Sequence, residues 1–354
     1  MSEQTRSNIG VMLFSVFGFV AMAAIFGVVF FLRSRVTAAG GLPGYGPEEA
    51  DRIAMPEGGR LRAEVAKGQL SALVNWIEAL PPGFWSDRTF VIDLFGPFCQ
   101  PQALTDWCRN DPRAALPRLL LGCWGIGAAW KARGSGISAS EQGRQQMRVH
   151  LAQAETEFRA AAALDPADPS AYAFLITVAR GLNQDPSVAH QLFAEAKARD
   201  PQHEYAHRAM LTFLCEKWHG SHDQMFAFAR QSASAAGRGS VLPALLIQAH
   251  LERWLYYKNF EKDAAGAERY LGDPQVVGEV TAAFDYSLGA PELPMRLATR
   301  RFHNDAAVFF WLVKDKARLA REGQVIGSCY TDMFWQALGE PQTVYGKAYQ
   351  WATR

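Results

Sequence analysis

The chain has 354 residues, of which 49% are hydrophobic and 20% charged, and 36 Lys and Arg against 35 Asp and Glu leave a net charge of +1. That balance excludes disorder over the whole length, which needs low hydrophobicity and strong net charge. It also speaks against a nucleic-acid partner, which would draw a basic excess or a basic stripe. Five cysteines are too few, and odd in number, for a disulfide scaffold, so free thiols in a reducing compartment are expected.

Residues 1–36 read as a short tail and a transmembrane anchor. Ile9 to Leu32 carries no charge, and Ser15 holds its only hydroxyl. As a helix it would be about 36 Å long, enough to cross a ~30 Å hydrocarbon core with some tilt. The competing reading is a cleaved signal peptide ending near Val36-Thr37-Ala38, but that apolar core is longer than the usual ~7–15 residues. The expected placement is therefore the cell membrane, single-pass, through Ile9 to Leu32. Charge near the segment is almost balanced, with Arg6 on one side and Arg33 and Arg35 on the other. Together with the unpaired cysteines this leans toward a cytoplasmic C-terminal domain.

Residues 37–59 are rich in Gly and Pro and read as a flexible linker. Residues 60–354 carry helix after helix and no run of alternating strands, so the expected fold is all-α. Leu61, Val65, Leu70, Leu73, Val74 and Ile77 give an amphipathic stretch ending before Pro81-Pro82. Six Asp-Pro pairs (at Asp111, Asp165, Asp168, Asp185, Asp200 and Asp273) should include several helix starts, since Asp caps and Pro suits the first turn. Arg133-Gly134 and Arg180-Gly181 look like helix ends.

A period of 35 residues runs through the middle of the chain. Ala154, Phe158, Ala161 and Pro166 recur as Ala189, Phe193, Ala196 and Pro201. Tyr172, Leu175, Ile176 and Ala179 recur as His207, Met210, Leu211 and Leu214. Two helices per period is the mark of stacked helical hairpins. The Ala-x-x-x-Phe-x-x-Ala-x-x-x-x-Pro pattern, with Leu121-Gly122 upstream, resembles the tetratricopeptide repeat over about residues 115–235. Lys217-Trp218-His219-Gly220-Ser221-His222, followed by Met225, Phe228 and Ala229, resembles the signature of a bacterial helical-repeat family of unknown function. Ser221 should cap the next helix, with Gln224 three residues on.

The first resemblance implies an α-solenoid of such hairpins; placed behind the N-terminal transmembrane helix, it would act as a membrane-anchored protein–protein interaction scaffold. It implies a partner groove lined by Ser170, Ala173, Thr177 and Arg180 from one repeat and Tyr205, Arg208, Thr212 and Cys215 from the next. Two arginines and a tyrosine suit an acidic or carboxylate-ended peptide. The C-terminal helices could instead fold back and fill that groove. No catalysis, no cofactor and no nucleic acid are expected.

The alternative is a membrane-tethered zinc hydrolase. His203-Glu204-Tyr205-Ala206-His207 fits H-E-x-x-H, in which two imidazoles hold zinc beside a general base. Against it, no third ligand stands at a suitable spacing, His207 falls on the core stripe of the repeat, and Pro201 puts His203 in an opening turn. Weaker candidates fail on geometry. Ser221-His222-Asp223 are consecutive on a helix and point apart, and Cys99, Cys108 and Cys123 lack C-x-x-C spacing. Gly122, Gly125 and Gly127 follow a helical pattern rather than a strand, which favours close helix packing over a dinucleotide loop. Trp254, Trp311 and Trp335 read as core, with a peptide groove as the other option.

Overall fold

The computed structural model describes residues 57–134, 140–331 and 334–354. All fall within one compact unit, Asp51–Arg354, and none of them forms a strand. Four helices precede the periodic region: α1 (Gly58–Ala66), α2 (Ser71–Glu78), α3 (Trp85–Phe95) and α4 (Pro101–Asn110). Three hairpins follow. They are α5 (Leu116–Arg133) with α6 (Glu141–Leu164), α7 (Ser170–Leu182) with α8 (Pro186–Arg199), and α9 (Glu204–Phe213) with α10 (His222–Ser234). The remainder comprises α11 (Leu245–Tyr256), α12 (Ala264–Gly272), α13 (Pro274–Tyr286), α14 (Arg300–Leu312), α15 (Lys316–Ile326) and α16 (Pro341–Thr353).

The expected architecture, a transmembrane helix leading into a solenoid, needs correction. No helix among the described residues is long and apolar enough to cross a membrane. The longest, α6, carries Glu141, Arg144, Arg148, Glu155, Glu157 and Arg159 on its outer face. α5 begins with Arg118 in its first turn and ends on Lys131 and Arg133. Ile9 to Leu32 and most of the linker lie outside the described residues, and α1 starts at Gly58, just inside the expected linker.

The 35-residue period marks real packing. Ala154, Phe158 and Ala161 of α6 are buried, as are Ala189 and Ala196 of α8. Each first helix of a hairpin packs on its own partner and on the next hairpin, α7 touching α6, α8 and α9. Small residues set the spacing. A Cβ at Gly122 would sit 2.5 Å from Phe158 Cε1, and one at Gly125 3.1 Å from Ala154 Cβ. The α5 glycines therefore serve close helix packing.

The Asp-Pro pairs divide into two kinds. Asp185 and Asp273 cap the starts of α8 and α13, accepting from the Ser187 and Gln275 amides at 2.8 Å each. Asp111, Asp165 and Asp200 instead follow the last residues of α4, α6 and α8. There each carboxylate accepts from the amide two residues on, at 3.0–3.3 Å. The same side-chain chemistry makes a turn when the chain must reverse and a helix start when it need not. Gly134 ends α5 with φ 76°, as expected, but Gly181 lies inside α7, which ends at Asn183 with φ 57°. Gly181 is there because Leu151 leaves no room for a side chain, 2.5 Å from an added Cβ. Ser221 caps α10 through the Gln224 amide at 3.2 Å.

Two hydrophobic clusters result. One runs from Leu61 to Leu214 and takes in Ala298. The other runs from Leu211 to Ala352. The array does not stay open: α3 packs across α5, α7 and α9, and α14 packs on α11.

Candidate functional site

The first helices of the hairpins, α7 and α9, present one face to the space that α3 and α14 partly close. A cleft of about 500 Å³ remains there, within the ~300–1,000 Å³ range of ligand sites. Of the groove residues read from the repeat, Thr177, Arg180, Tyr205, Arg208 and Thr212 line it. Ser170, Ala173 and Cys215 do not. Ser170 is buried under α3, its Oγ 2.7 Å from Thr89 Oγ1. Ala173 is fully buried, and Cys215 turns its thiol to Met225 Sδ at 3.4 Å.

Beside Ile126 and Trp130 of α5 and Ala209 of α9, the lining takes residues from segments with no periodicity, among them Arg62 of α1, Phe90 and Asp93 of α3, Gln248 of α11 and Arg301 of α14. Nothing in the repeat pattern could have found them. Two of the cleft's arginines are neutralised. Arg301 pairs with Asp93, and Arg208 pairs with Asp305 of α14 at 2.6 Å, its guanidinium 4.7 Å from the centroid of the Phe302 ring. The other two have no carboxylate among the described residues. Arg62 stacks 3.6 Å over the Phe98 ring.

Arg180 is the most exceptional group in the cleft. Its guanidinium lies 5.7 Å from the Trp130 ring and 5.1 Å from the Trp218 ring, and its Nε is buried with no hydrogen-bond partner. Burial pulls its pKa below the ordinary value, against the smaller opposing pull of Tyr205, Cys215 and Glu252. Gln248 supplies the complementary orphan. It is fully buried and donates through Nε2 to Thr212 Oγ1 at 3.3 Å, while its Oε1 accepts from nothing. Tyr205 stands between, its hydroxyl 3.5 Å from Thr177 Oγ1, and burial raises its pKa.

The H-E-x-x-H residues are arranged otherwise. His203 is the residue before α9, outside the helix, and its Nδ1 accepts from the Ala206 amide at 3.2 Å. Its Nε2 then donates to Thr89 Oγ1 at 2.9 Å. Both nitrogens are spent, so His203 has no lone pair for an ion shared with His207. His207 donates from Nδ1 to the His203 carbonyl at 3.0 Å and sets its ring edge-on to Phe193. Burial pushes the two imidazoles down to about 3 and about 4. Glu204 points to a separate small cavity. No group of three His, Cys, Asp or Glu side chains able to hold a metal exists among the described residues. Cys99 and Cys123 are buried thiols, Cys99 pushed up to about 12 by burial. Trp254 and Trp335 are buried in the second cluster and Trp311 packs against Trp351, all away from the cleft lining.

Comparison with known proteins leaves the site to be read from its own chemistry. No family model, no curated protein and no solved structure matches this chain.

Proposed function

We propose that the chain is a non-catalytic interaction module of the tetratricopeptide-like kind, and that its cleft seats the carboxylate end of a partner polypeptide. The observation that carries the reading is Arg180, a cation with no acceptor among the described residues, set between two indoles in the lining of a ligand-sized cleft. A guanidinium in that state gains most from a planar carboxylate, which takes two parallel hydrogen bonds. Gln248 Oε1 offers an acceptor for an N–H donor, which a peptide's last residue provides. Phe90, Ile126 and Trp130 give its side chain an apolar wall.

The test uses N-acetylated pentapeptides ending in Leu or Phe, as free acids and as C-terminal amides. Binding is followed by tryptophan fluorescence, since Trp130 and Trp218 flank the expected carboxylate. Free acids should bind saturably. Amidation or Arg180→Gln should each weaken binding at least about tenfold, the scale of one charge-assisted hydrogen bond. Equal affinity for acid and amide, or no saturable binding of either, would overturn the reading.

A further inference from the structure

A second cavity, about 170 Å³, lies where four distant segments meet. Its lining includes Ser86 at the start of α3, Asp200 and Glu204 around the turn into α9, Ser240 before α11, and Arg296 and Thr299 before α14. Two of these groups are buried and unsatisfied: Glu204 Oε2 and Arg296 Nη2. Glu204 is 7% exposed, and its amide donates to Ser86 Oγ at 3.2 Å. Arg296 is fixed from behind, its Nε donating to Asp87 Oδ2 at 3.1 Å and its guanidinium lying 3.8 Å over the Phe84 ring. An orphan acceptor and an orphan donor thus line one small space without pairing to each other.

Leaving either group unmatched is costly. The space far exceeds the ~10–15 Å³ that one water needs and falls short of the ~300 Å³ of a drug-sized site. We infer that this cavity binds a small ammonium–carboxylate zwitterion, an α-amino acid of the size of glycine, alanine or serine. Its carboxylate takes the Arg296 Nη2 donor, and its ammonium lies against Glu204 Oε2 and the half-buried Asp200. Ser240 Oγ donates to Gln202 Oε1 at 3.1 Å and keeps acceptor capacity toward the ammonium. Because the four segments lie on both sides of the molecule's two hydrophobic clusters, the ligand ties them together.

The charged groups around Glu204 are Asp87, Asp200, Arg208 and Arg296. Burial first, and Asp87 next, push the Glu204 carboxyl up to about 8. Below that pH it holds a proton that an arriving ammonium displaces. Affinity for glycine therefore rises with pH, about tenfold from pH 6 to 7 and about fivefold from pH 7 to 8.

Calorimetry and thermal melting of the full chain with glycine, alanine and serine test the assignment, with acetate, methylammonium and phenylalanine as comparison ligands. The small zwitterions should bind saturably and raise Tm. Acetate and methylammonium should bind at least about tenfold more weakly, and phenylalanine should be excluded. Glu204→Gln should cost at least about tenfold in affinity, and Ser240→Leu, which fills the space without touching either charged group, should abolish binding. The inference is overturned if no small zwitterion binds, if acetate alone matches glycine, or if the Ser240→Leu protein binds like the wild type. None of these outcomes bears on the peptide cleft.

Discussion

The two halves of the molecule solve the packing problem in different ways. In the first cluster, small residues at fixed spacing bring the helices together around Phe95, Phe158, Phe174 and Phe213. Ala154, Ala161, Ala189 and Ala196 let helices approach, and Gly122 and Gly125 accept the side chains opposite. The second is built on bulk, with Phe284, Phe302, Phe309, Phe310, Phe334 and Trp335 all essentially sealed from solvent. It also buries polar pairs. His303 Nδ1 lies 2.7 Å from Glu322 Oε2, and Asn304 Oδ1 accepts from the Trp335 indole at 3.2 Å. Small residues at a period make a stackable unit, whereas the aromatics of the second cluster interlock without a period. The second half contributes Gln248, Arg301 and Thr331 to the wall of the cleft.

Phe228 packs against both clusters, and three long-range ion pairs join the halves. Arg208 reaches Asp305, Arg301 reaches Asp93, and Arg296 reaches Asp87. The most buried of these gives the largest expected effect. Asp305 is 1% exposed, and burial raises its carboxyl pKa against the opposing pull of Arg208. Asp305→Ala leaves a buried guanidinium without its anion and should cost ~3–5 kcal/mol. An Arg208→Met, Asp305→Leu double variant should recover most of that. Urea unfolding followed separately at probes in each half is the measurement. If Asp305→Ala unfolds as one transition with a loss below 1 kcal/mol, the clamp does not hold the halves together.

The packing style of the first half can be broken at a single methyl group. A Cβ at Gly122 meets three atoms of the Phe158 ring at 2.5–2.8 Å, and Phe158 is fixed by its stack on Phe174 at 5.1 Å. Gly122→Ala should therefore destabilise by ~1–3 kcal/mol despite the better helix propensity of alanine. The control is Gly278→Ala in α13, where an added Cβ meets nothing within 4 Å. That substitution should stabilise by up to ~1 kcal/mol. Equal effects at the two sites would mean that helix spacing does not depend on the glycine.

Between these in size stands a pH effect at the junction. Glu204 sits at about 8 in the folded chain, against an ordinary value of 4.5. Its folded-state proton contributes stability that is complete below pH 4.5 and is lost as pH rises through 8. His203 and His207 act oppositely. Held at about 3 and about 4, below the usual 6.5, they contribute stability that is present above pH 6.5 and lost as pH falls. By pH 7 the unfolded imidazoles have given up most of their protons, so between pH 7 and 8 the glutamate outweighs them and stability should fall, by less than ~1.4 kcal/mol per pH unit. Glu204→Gln should remove that fall. An unchanged slope in the variant removes Glu204 from the account.

The legibility of the fold follows the same division. Alanine, phenylalanine and proline repeated at 35 residues betray the hairpins, because each unit must present the same small face to its neighbour. The resemblance to the tetratricopeptide repeat places Thr177, Arg180, Tyr205, Arg208 and Thr212 on one face, and they line the cleft. Ser170 and Ala173 belong to the same face but lie under α3, and α3 carries no repeat pattern that would have announced it. Asp93, Asp305 and Arg301 were equally silent. Ion pairs spanning 97 and 208 residues leave no local trace. His203 and His207 offered a motif that the sequence also argued against, through the core position of His207 and the opening-turn position of His203. Their spacing carries a metal motif, but an imidazole at the residue before a helix caps the backbone, and the spacing alone cannot tell a capping nitrogen from a ligating one.

The smallest expected effect compares two helix starts. Ser221 opens α10, whose Met225 and Ala229 belong to the second cluster, its Oγ accepting from the Gln224 amide at 3.2 Å. Asp315 opens α15 nearer the C-terminus, accepting from the Arg318 amide at 3.0 Å and pairing with the Arg318 guanidinium at 2.8 Å. Ser221→Ala removes one capping bond and should cost ~1 kcal/mol. Asp315→Ala also removes a negative charge from a helix start and a partly exposed ion pair, adding a few tenths of a kcal/mol each. The signs should separate further by location. α10 closes a hairpin whose neighbours pack on both sides, so its loss of cap should appear in global stability. α15 packs on α14 and α16, so fraying there should appear first as faster amide exchange in the opening turn of α15. If Ser221→Ala instead frays α10 locally and leaves global unfolding unchanged, α10 is not integral to the cluster that Met225 and Ala229 enter.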